Sequence, residues 1–241
     1  MNTKLVVMSL FILLFGLNVM DASGQTEVKK KGGTYGGLGF FKPGINTIQF
    51  TKLNGFLPTG YPTITNQPFV GSGAGYGLFN NFVIGGEGGN IHAGTFTLGN
   101  QKVELSGDYG LFSLGYVVVN KKGLLIFPLL GIGSNTLNVF IHQKDETATF
   151  QAITGEPFQS ATLHHKTSLV KLSVSGIYNV MGNKSDKGSG GMFIGLEAGY
   201  QVAYKSGDWN YENGAITGGP DFSTNGFFIQ LMIGGGGVAR K

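Results

Sequence analysis

Residues 192–205 read MFIGLEAGYQVAYK. Taken in twos they separate into Met192, Ile194, Leu196, Ala198, Tyr200, Val202 and Tyr204 on one face and Phe193, Gly195, Glu197, Gly199, Gln201, Ala203 and Lys205 on the other. That is the period of a strand, because successive side chains of extended backbone leave opposite faces. One face is apolar and ends in two tyrosines, while the other carries Gly, Glu, Gln and Lys. Alternation alone does not say which face meets solvent, so the compartment has to be read from elsewhere in the chain.

Residues 1–24 hold Lys4, an apolar run over residues 5–19, and Ala22-Ser23-Gly24, small residues where a signal peptide is cut. Gly16 and Asn18 interrupt that run, which falls short of the roughly 18 apolar residues of a retained membrane anchor. The expectation is a cleavable signal peptide over 1–24 and a periplasmic tether over 25–33 that carries Lys29, Lys30 and Lys31. With export and no later membrane helix, an apolar face closed by tyrosines over a polar face reads as a strand of an outer-membrane barrel.

Composition agrees with one such domain over residues 34–241. The chain of 241 residues has 43 Gly, with 12% charged and 12% aromatic residues, too aromatic for disorder and too glycine-rich for an ordinary soluble core. A net charge of +4 without a basic block in the mature domain gives no case for nucleic acid. The absence of Cys excludes disulfides, thiolate nucleophiles, cysteine metal sites and a lipidated N-terminal cysteine.

Further strands follow the same period. Residues 34–43 alternate Tyr35, Gly37, Gly39 and Phe41 against Gly36, Leu38 and Phe40. Residues 45–67, with Asn54-Gly55, Pro58, Gly60 and Pro62, have the chemistry of a long loop in which Ile48 and Phe50 can pack. Over 69–79, Val70, Ala74, Tyr76 and Leu78 share one face and Gly71, Gly73, Gly75 and Gly77 the other, and the glycines are expected to face a crowded lumen. Gly85-Gly86-Glu87-Gly88-Gly89 takes the same reading, since a nucleotide-binding glycine loop would need a following helix.

Asn80-Asn81 suits a tight turn that requires positive φ, and strands are expected over 82–97, 103–119, 124–142, 162–180 and 223–234. Pro128 cannot donate to a ladder, so a bulge there, or pairing that begins only after it, is expected. The count, with the opening stretch as seventh, is eight. Connections alternate in length: 45–67, 98–102, 143–161 and 207–221 against 80–81, 120–123 and 182–190. Such barrels keep short turns in the periplasm and longer loops outside, which puts both termini in the periplasm.

Over residues 34–238 this pattern resembles the small eight-stranded outer-membrane barrels of Gram-negative bacteria, the architecture of the transmembrane domain of outer membrane protein A. The resemblance implies an all-β, antiparallel up-and-down transmembrane barrel in the bacterial outer membrane. In one respect the chain departs from it. Such barrels usually end on an aromatic residue, whereas Phe227-Phe228 is followed here by Ile233, a glycine run and Val238-Ala239-Arg240-Lys241.

Candidate sites are few. Glu87 and Glu197, inward on the third and seventh strands, are expected to face each other across the lumen at similar depth. Buried carboxylates need partners. Lys171 is the expected cation, Gln230 a neutral member and Lys205 a member higher in the lumen. A satisfied polar plug is one reading, and a gate that frees a narrow cation path is the other. His164, His165 and Lys166 approach the outer rim, where they are either solvated or in contact with lipopolysaccharide phosphates.

Tyr35, Phe79, Phe82 and Tyr178 suit an aromatic belt at the short-turn end, and Tyr204 and Trp209 one at the loop end. No nucleophile, base and acid stand at reacting distance in sequence: His92, five positions from Glu87, falls on the other face, and adjacent His164-His165 point apart. No catalytic residue, metal site or cofactor is expected. The expected function is a non-catalytic integral outer-membrane barrel with a structural or surface-interaction role through its outer loops. A gated cation-preferring channel is the alternative and a lipid-modifying enzyme the third choice. Expected partners are outer-membrane lipid, lipopolysaccharide and an unidentified surface ligand or protein.

Overall fold

The computed structural model describes residues 33–65, 67–143, 161–185, 187–211, 214–220 and 222–240. The expected leader 1–24, the tether up to residue 32 and most of the 143–161 connection lie outside the described residues. In chain order the elements are β1 (Thr34–Asn46), α1 (Thr51–Asn54), β2 (Phe69–Phe79), β3 (Phe82–Leu98), β4 (Gln101–Tyr116), β5 (Val119–Lys121), β6 (Leu124–Gln143), β7 (Ala161–Ser185), β8 (Gly188–Tyr211), β9 (Gly214–Ile216) and β10 (Gly226–Arg240). Eight strands close a ring in the order β10-β1-β2-β3-β4-β6-β7-β8, with β8 returning to β10. All pairings round it are antiparallel. The two short strands are appendages, β5 on β6 and β9 on β8.

Turn chemistry sets these hairpins. Asn80 and Asn81 take φ of 50° and 70°, and Lys122 and Gly123 take 48° and 85°, the left-handed pairs that two-residue hairpins require. The ladder between β4 and β6 begins at Leu129, directly after Pro128, which has no N–H to give it. Residues before the proline pair instead with β5.

Three expected boundaries move outward. The 182–190 turn is a hairpin extension, with Ser185 paired to Gly188. The 207–221 loop begins as strand, β8 running on to Tyr211 and turning back into β9. The glycine run after Ile233 stays in β10 and pairs with β1 as far as Arg240 opposite Thr34. Strands outside the lipid need no apolar alternation, and a neighbouring ladder is enough to hold them.

Directly paired residues trace one circuit of the wall: Val174, Ala198, Ile229, Ile45, Phe69, His92, Ser106, Asn138, His164. It returns to β7 ten residues from its start. For eight strands, with usual strand spacings, that stagger tilts the strands by about 40°. Phe82 and His92 on β3 then lie about 25 Å apart along the axis, the height of the apolar band of a membrane barrel.

Phe41, Phe82, Phe112, Leu114, Ile132, Val174, Leu196, Ile229 and Leu231 are exposed on that band. Its lower edge carries the edge-to-face pairs Tyr35 with Phe79, centroids 5.3 Å apart, and Phe82 with Tyr116, 5.4 Å apart. The upper edge has Tyr200 against Phe227 at 4.7 Å.

The glycines of β2 are on the opposite face from the one expected. Val70, Ser72, Tyr76 and Leu78 are buried inward, so Gly71, Gly73, Gly75 and Gly77 face outward. Gly86 and Gly88 of β3 are outward too, whereas Gly85 and Gly89 are inward. The inward pair does meet the crowding that the lumen imposes. A Cβ on Gly85 would lie 2.1 Å from the Gly75 carbonyl oxygen and 2.6 Å from the Tyr76 ring, while one on Gly75 would meet nothing within 4 Å.

Inside, the wall encloses layers along the axis. At the short-turn end Leu38, Phe40, Leu78, Val83, Leu125, Phe127, Ile177, Phe193 and Met232 form one apolar cluster. At the loop end Phe96, Val103, Leu105, Leu137 and Val139 from the wall pack with Ile48, Phe50, Leu53 and Ile64, so the segment after β1 folds down as a lid. Asn54 holds it, its side-chain amide donating to the Ile64 carbonyl at 3.0 Å and its Oδ1 accepting the Ile64 N–H at 2.9 Å.

Candidate functional site

Between the two apolar clusters lies a layer of charge. Strand alternation directs Lys42 of β1, Glu87 of β3, Lys171 of β7 and Glu197 of β8 inward, and all four are buried. Each lysine meets both carboxylates. Lys42 pairs with Glu87 and, at 2.7 Å, with Glu197. Lys171 pairs with Glu87 and, at 2.8 Å, with Glu197. Two cations and two anions cancel, which is the condition for carrying charge away from water.

Neutral groups complete the layer. The Tyr76 hydroxyl donates to Glu87 Oε2 at 3.4 Å and accepts from Lys42 Nζ at 3.5 Å. The Ser175 hydroxyl donates to Glu197 Oε2 at 3.2 Å. Lys171 Nζ also stands 4.6 Å above the Phe228 ring, a cation held over an aromatic face. Gly131 leaves room for Lys171: a Cβ there would lie 3.4 Å from the lysine Cβ.

The structure therefore brings together Glu87, Glu197 and Lys171. Gln230 is buried beside the layer rather than in it, donating to Ser72 Oγ and to the Tyr109 hydroxyl, each at 3.4 Å. Lys205 is not in the lumen. A register shift between Ser168 and Leu169 leaves Tyr204 without a partner on β7, and Lys205 comes out exposed beyond it. Sequence reasoning missed Lys42, the second cation, although it continues the inward series of Leu38 and Phe40.

The loop-end residues divide in the same way. His164 and Lys166 face outward on β7, His164 Nδ1 lying 2.7 Å from Asn138 Oδ1. His165 faces inward and is buried, which removes it from any contact at the surface. It stacks on Trp209 with ring centroids 4.6 Å apart, and its Nε2 lies 3.0 Å from Ser206 Oγ and 3.3 Å from the Phe222 carbonyl oxygen. Trp209 is likewise no belt residue. It is buried in the lid, with its indole N–H donated to the Pro220 carbonyl at 2.8 Å.

Chemically, the charged layer offers ion pairing and no activated nucleophile, since its hydroxyls meet carboxylates and lysines and no imidazole. His92 and Glu87 are on opposite faces of β3, as their spacing requires. Among the described residues no group of three His, Cys, Asp or Glu could hold a metal ion. Beside the layer is a partly open cavity of about 20 Å³, bordered by Asn46, Tyr109, Lys171 and Gln230 among others, room for about one water.

A closed ring of eight antiparallel strands, an apolar outer band and a charged, filled lumen decide the architecture. The chain has the fold of a small outer-membrane barrel. Among solved structures this barrel is similar to Ail, the attachment invasion locus protein of Yersinia pestis, with 10% identity, a TM-score of 0.43, and 86% of this chain and 99% of that one covered. The same protein in complex with the heparin analogue sucrose octasulfate matches at 13% identity and a TM-score of 0.39, over 86% and 99% of the two chains. The outer membrane protease OmpT from Escherichia coli matches at 8% identity and a TM-score of 0.33, over 91% of this chain and 99% of that one. No protein-family model and no curated protein matches the barrel in sequence.

Proposed function

We propose that the protein is an integral barrel of the bacterial outer membrane, non-catalytic and closed through its lumen, that presents its loop end as an interaction surface and keeps both termini in the periplasm. One observation carries this reading. The four-charge layer lies between two apolar clusters, and the loop-end cluster is built by a folded lid rather than left as an open mouth. A cation path along the axis would have to cross both apolar layers, which argues against the channel. Outside, His164, Lys166 and Lys205 stand at the loop end above the apolar band, which supports a contact with lipopolysaccharide phosphates and leaves the lid and hairpin tips for a further surface ligand.

Planar-bilayer recordings of the wild type and Glu197→Ala test the closed lumen. Silence from both is expected, and steady cation-selective current from the wild type refutes it. Retention of lipopolysaccharide by purified protein, compared between the wild type and Lys166→Gln/Lys205→Gln, tests the rim contact. Equal retention by both removes it.

A further inference from the structure

Among the described residues, charge is distributed unequally between the two ends of this barrel. The loop end sets Lys52, Lys102, Lys166 and Lys205 against Glu104, Asp108 and Asp208. The short-turn end has Lys121, Lys122, Lys187 and Arg240 among the described residues, while Asp186 of the same hairpin lies outside them.

These four cations are carried on one continuous floor. Asn120, beside the Lys121-Lys122 turn, donates its side-chain amide to Thr34 Oγ1 at 3.1 Å. Thr34 pairs with Arg240, and the Arg240 N–H donates to the Lys187 carbonyl at 2.7 Å. Asn81 ties in the remaining turn, accepting the Thr34 N–H at its Oδ1 at 2.9 Å and donating its own N–H to the Thr34 carbonyl at 3.1 Å. Hydrogen bonds thus hold the start of β1, the end of β10 and the turns in one network, with the cations round its edge.

The lipid boundary comes down to this floor. Phe79 is 69% exposed and Met181 67%, and Val118, Tyr116 and Tyr178 are exposed beside them. Lysine and arginine stems are long enough to run along such a boundary and set their charge among headgroups. Lys122 adds a second observation. It takes φ +48° in the tight turn, where Asn, Asp or Gly is favoured and where the equivalent turn uses Asn80 and Asn81. A lysine in that backbone conformation gives up local preference and keeps a charge at the rim.

We infer that the short-turn rim is a docking surface for the phosphate headgroups of anionic phospholipid in the leaflet it faces. The cations match the phosphates, and the aromatic belt fixes their depth. This goes beyond the proposed surface role, which concerns the other end of the barrel.

The test uses the full barrel reconstituted in phosphatidylcholine vesicles, with spin-labelled phosphatidylglycerol or spin-labelled phosphatidylcholine as probe. The motionally restricted fraction of each reports lipid held at the wall. Wild type is expected to restrict the anionic lipid several-fold more, on the order of fivefold per engaged cation at low salt, and to lose the preference near 1 M salt. Lys121→Gln/Lys122→Gln/Lys187→Gln/Arg240→Gln should bring the two probes together, while Lys102→Gln, at the turn between β3 and β4, should not. Heat-modifiable gel mobility shows that each variant barrel has closed. Equal restriction of both lipids by the wild type overturns the inference, and so does a preference that survives the rim variant. If wild type shows no preference but detergent-solubilised barrel sediments with cell-wall sacculi, the anionic partner is the wall polymer and the lipid reading is wrong.

Discussion

Replacing Lys42 with methionine removes one of the two cations from the buried layer and leaves Glu87 and Glu197 to share Lys171. The remaining site carries an uncompensated negative charge among side chains that are at most 5% exposed. Breaking a buried pair by removing one partner costs about 3–5 kcal/mol, and Lys42 serves two carboxylates, so the upper part of that range is expected. Glu87→Gln added to Lys42→Met restores neutrality, with Lys171 still facing Glu197 at 2.8 Å. The double variant should therefore lose less than the sum of the single losses, by about 2–3 kcal/mol of coupling. Urea unfolding in lipid vesicles measures this directly, because Trp209 is the only tryptophan and is buried in the lid. Lys205→Met is the control, an exposed lysine whose loss should stay within about 0.5 kcal/mol. A cost below about 1 kcal/mol for Lys42→Met, or additive losses in the double variant, would refute the argument that the layer is held by mutual neutralisation.

Other variants probe the faces and the topology. Leu196→Arg puts charge on the apolar band near mid-depth and should cost about 2–4 kcal/mol, read as loss of the heat-modified gel band. Phe193→Ala, three positions away but fully buried, should cost about 3–5 kcal/mol through the cavity it leaves in the short-turn cluster. Gly85→Ala should destabilise by about 1–3 kcal/mol because its methyl collides with the Gly75 carbonyl, whereas Gly75→Ala should be neutral or stabilising; the reverse order in urea titrations would put the glycines of β2 back in the lumen. Protease added to intact cells should cut within 143–161 and spare 182–190, and cutting confined to the second segment would invert the proposed orientation.

Much of the barrel could be read from the sequence, because a lumen and a lipid face impose a two-residue period that composition alone displays. Strand ends were less legible. Beyond the lipid a strand needs only a neighbouring ladder, and polar pairs such as Ser185 with Gly188 give no apolar signal. The lid was harder still. Trp209 and Tyr204 suggest the same belt by residue type, and only the register shifts between β7 and β8, with β9 and Pro220 folded against the indole, send it inward to His165. Lys42 was lost for a different reason. The expected first strand, 34–43, contains Lys42, but its alternating series was followed only as far as Phe40, while β1 keeps its pairing with β2 through Pro43 opposite Gly71 and runs on to Asn46. Followed one step further, the series Gly36, Leu38, Phe40 would have delivered the second cation that two buried carboxylates demand.

The face of the glycines was also within reach, through the turn rather than through composition. Asn80-Asn81 is a two-residue turn, so Phe79 must pair with Phe82, and counting back along both strands places Ala74 opposite Glu87. Directly paired residues of an antiparallel ladder project from the same face. Once Glu87 is assigned to the lumen, Val70, Ser72, Ala74, Tyr76 and Leu78 follow it inward, and the glycines between them have only the lipid to face. Side-chain size pointed the other way, because bulky residues suggest an apolar outer wall. Size is the weaker guide in a narrow barrel, since the lumen must be filled as well as the band covered. Here Tyr76 fills it twice over. Its ring packs against Phe40 and Phe127 in the short-turn cluster, and its hydroxyl reaches Glu87 in the charged layer, so one inward residue joins the apolar seal to the ion pairs above it.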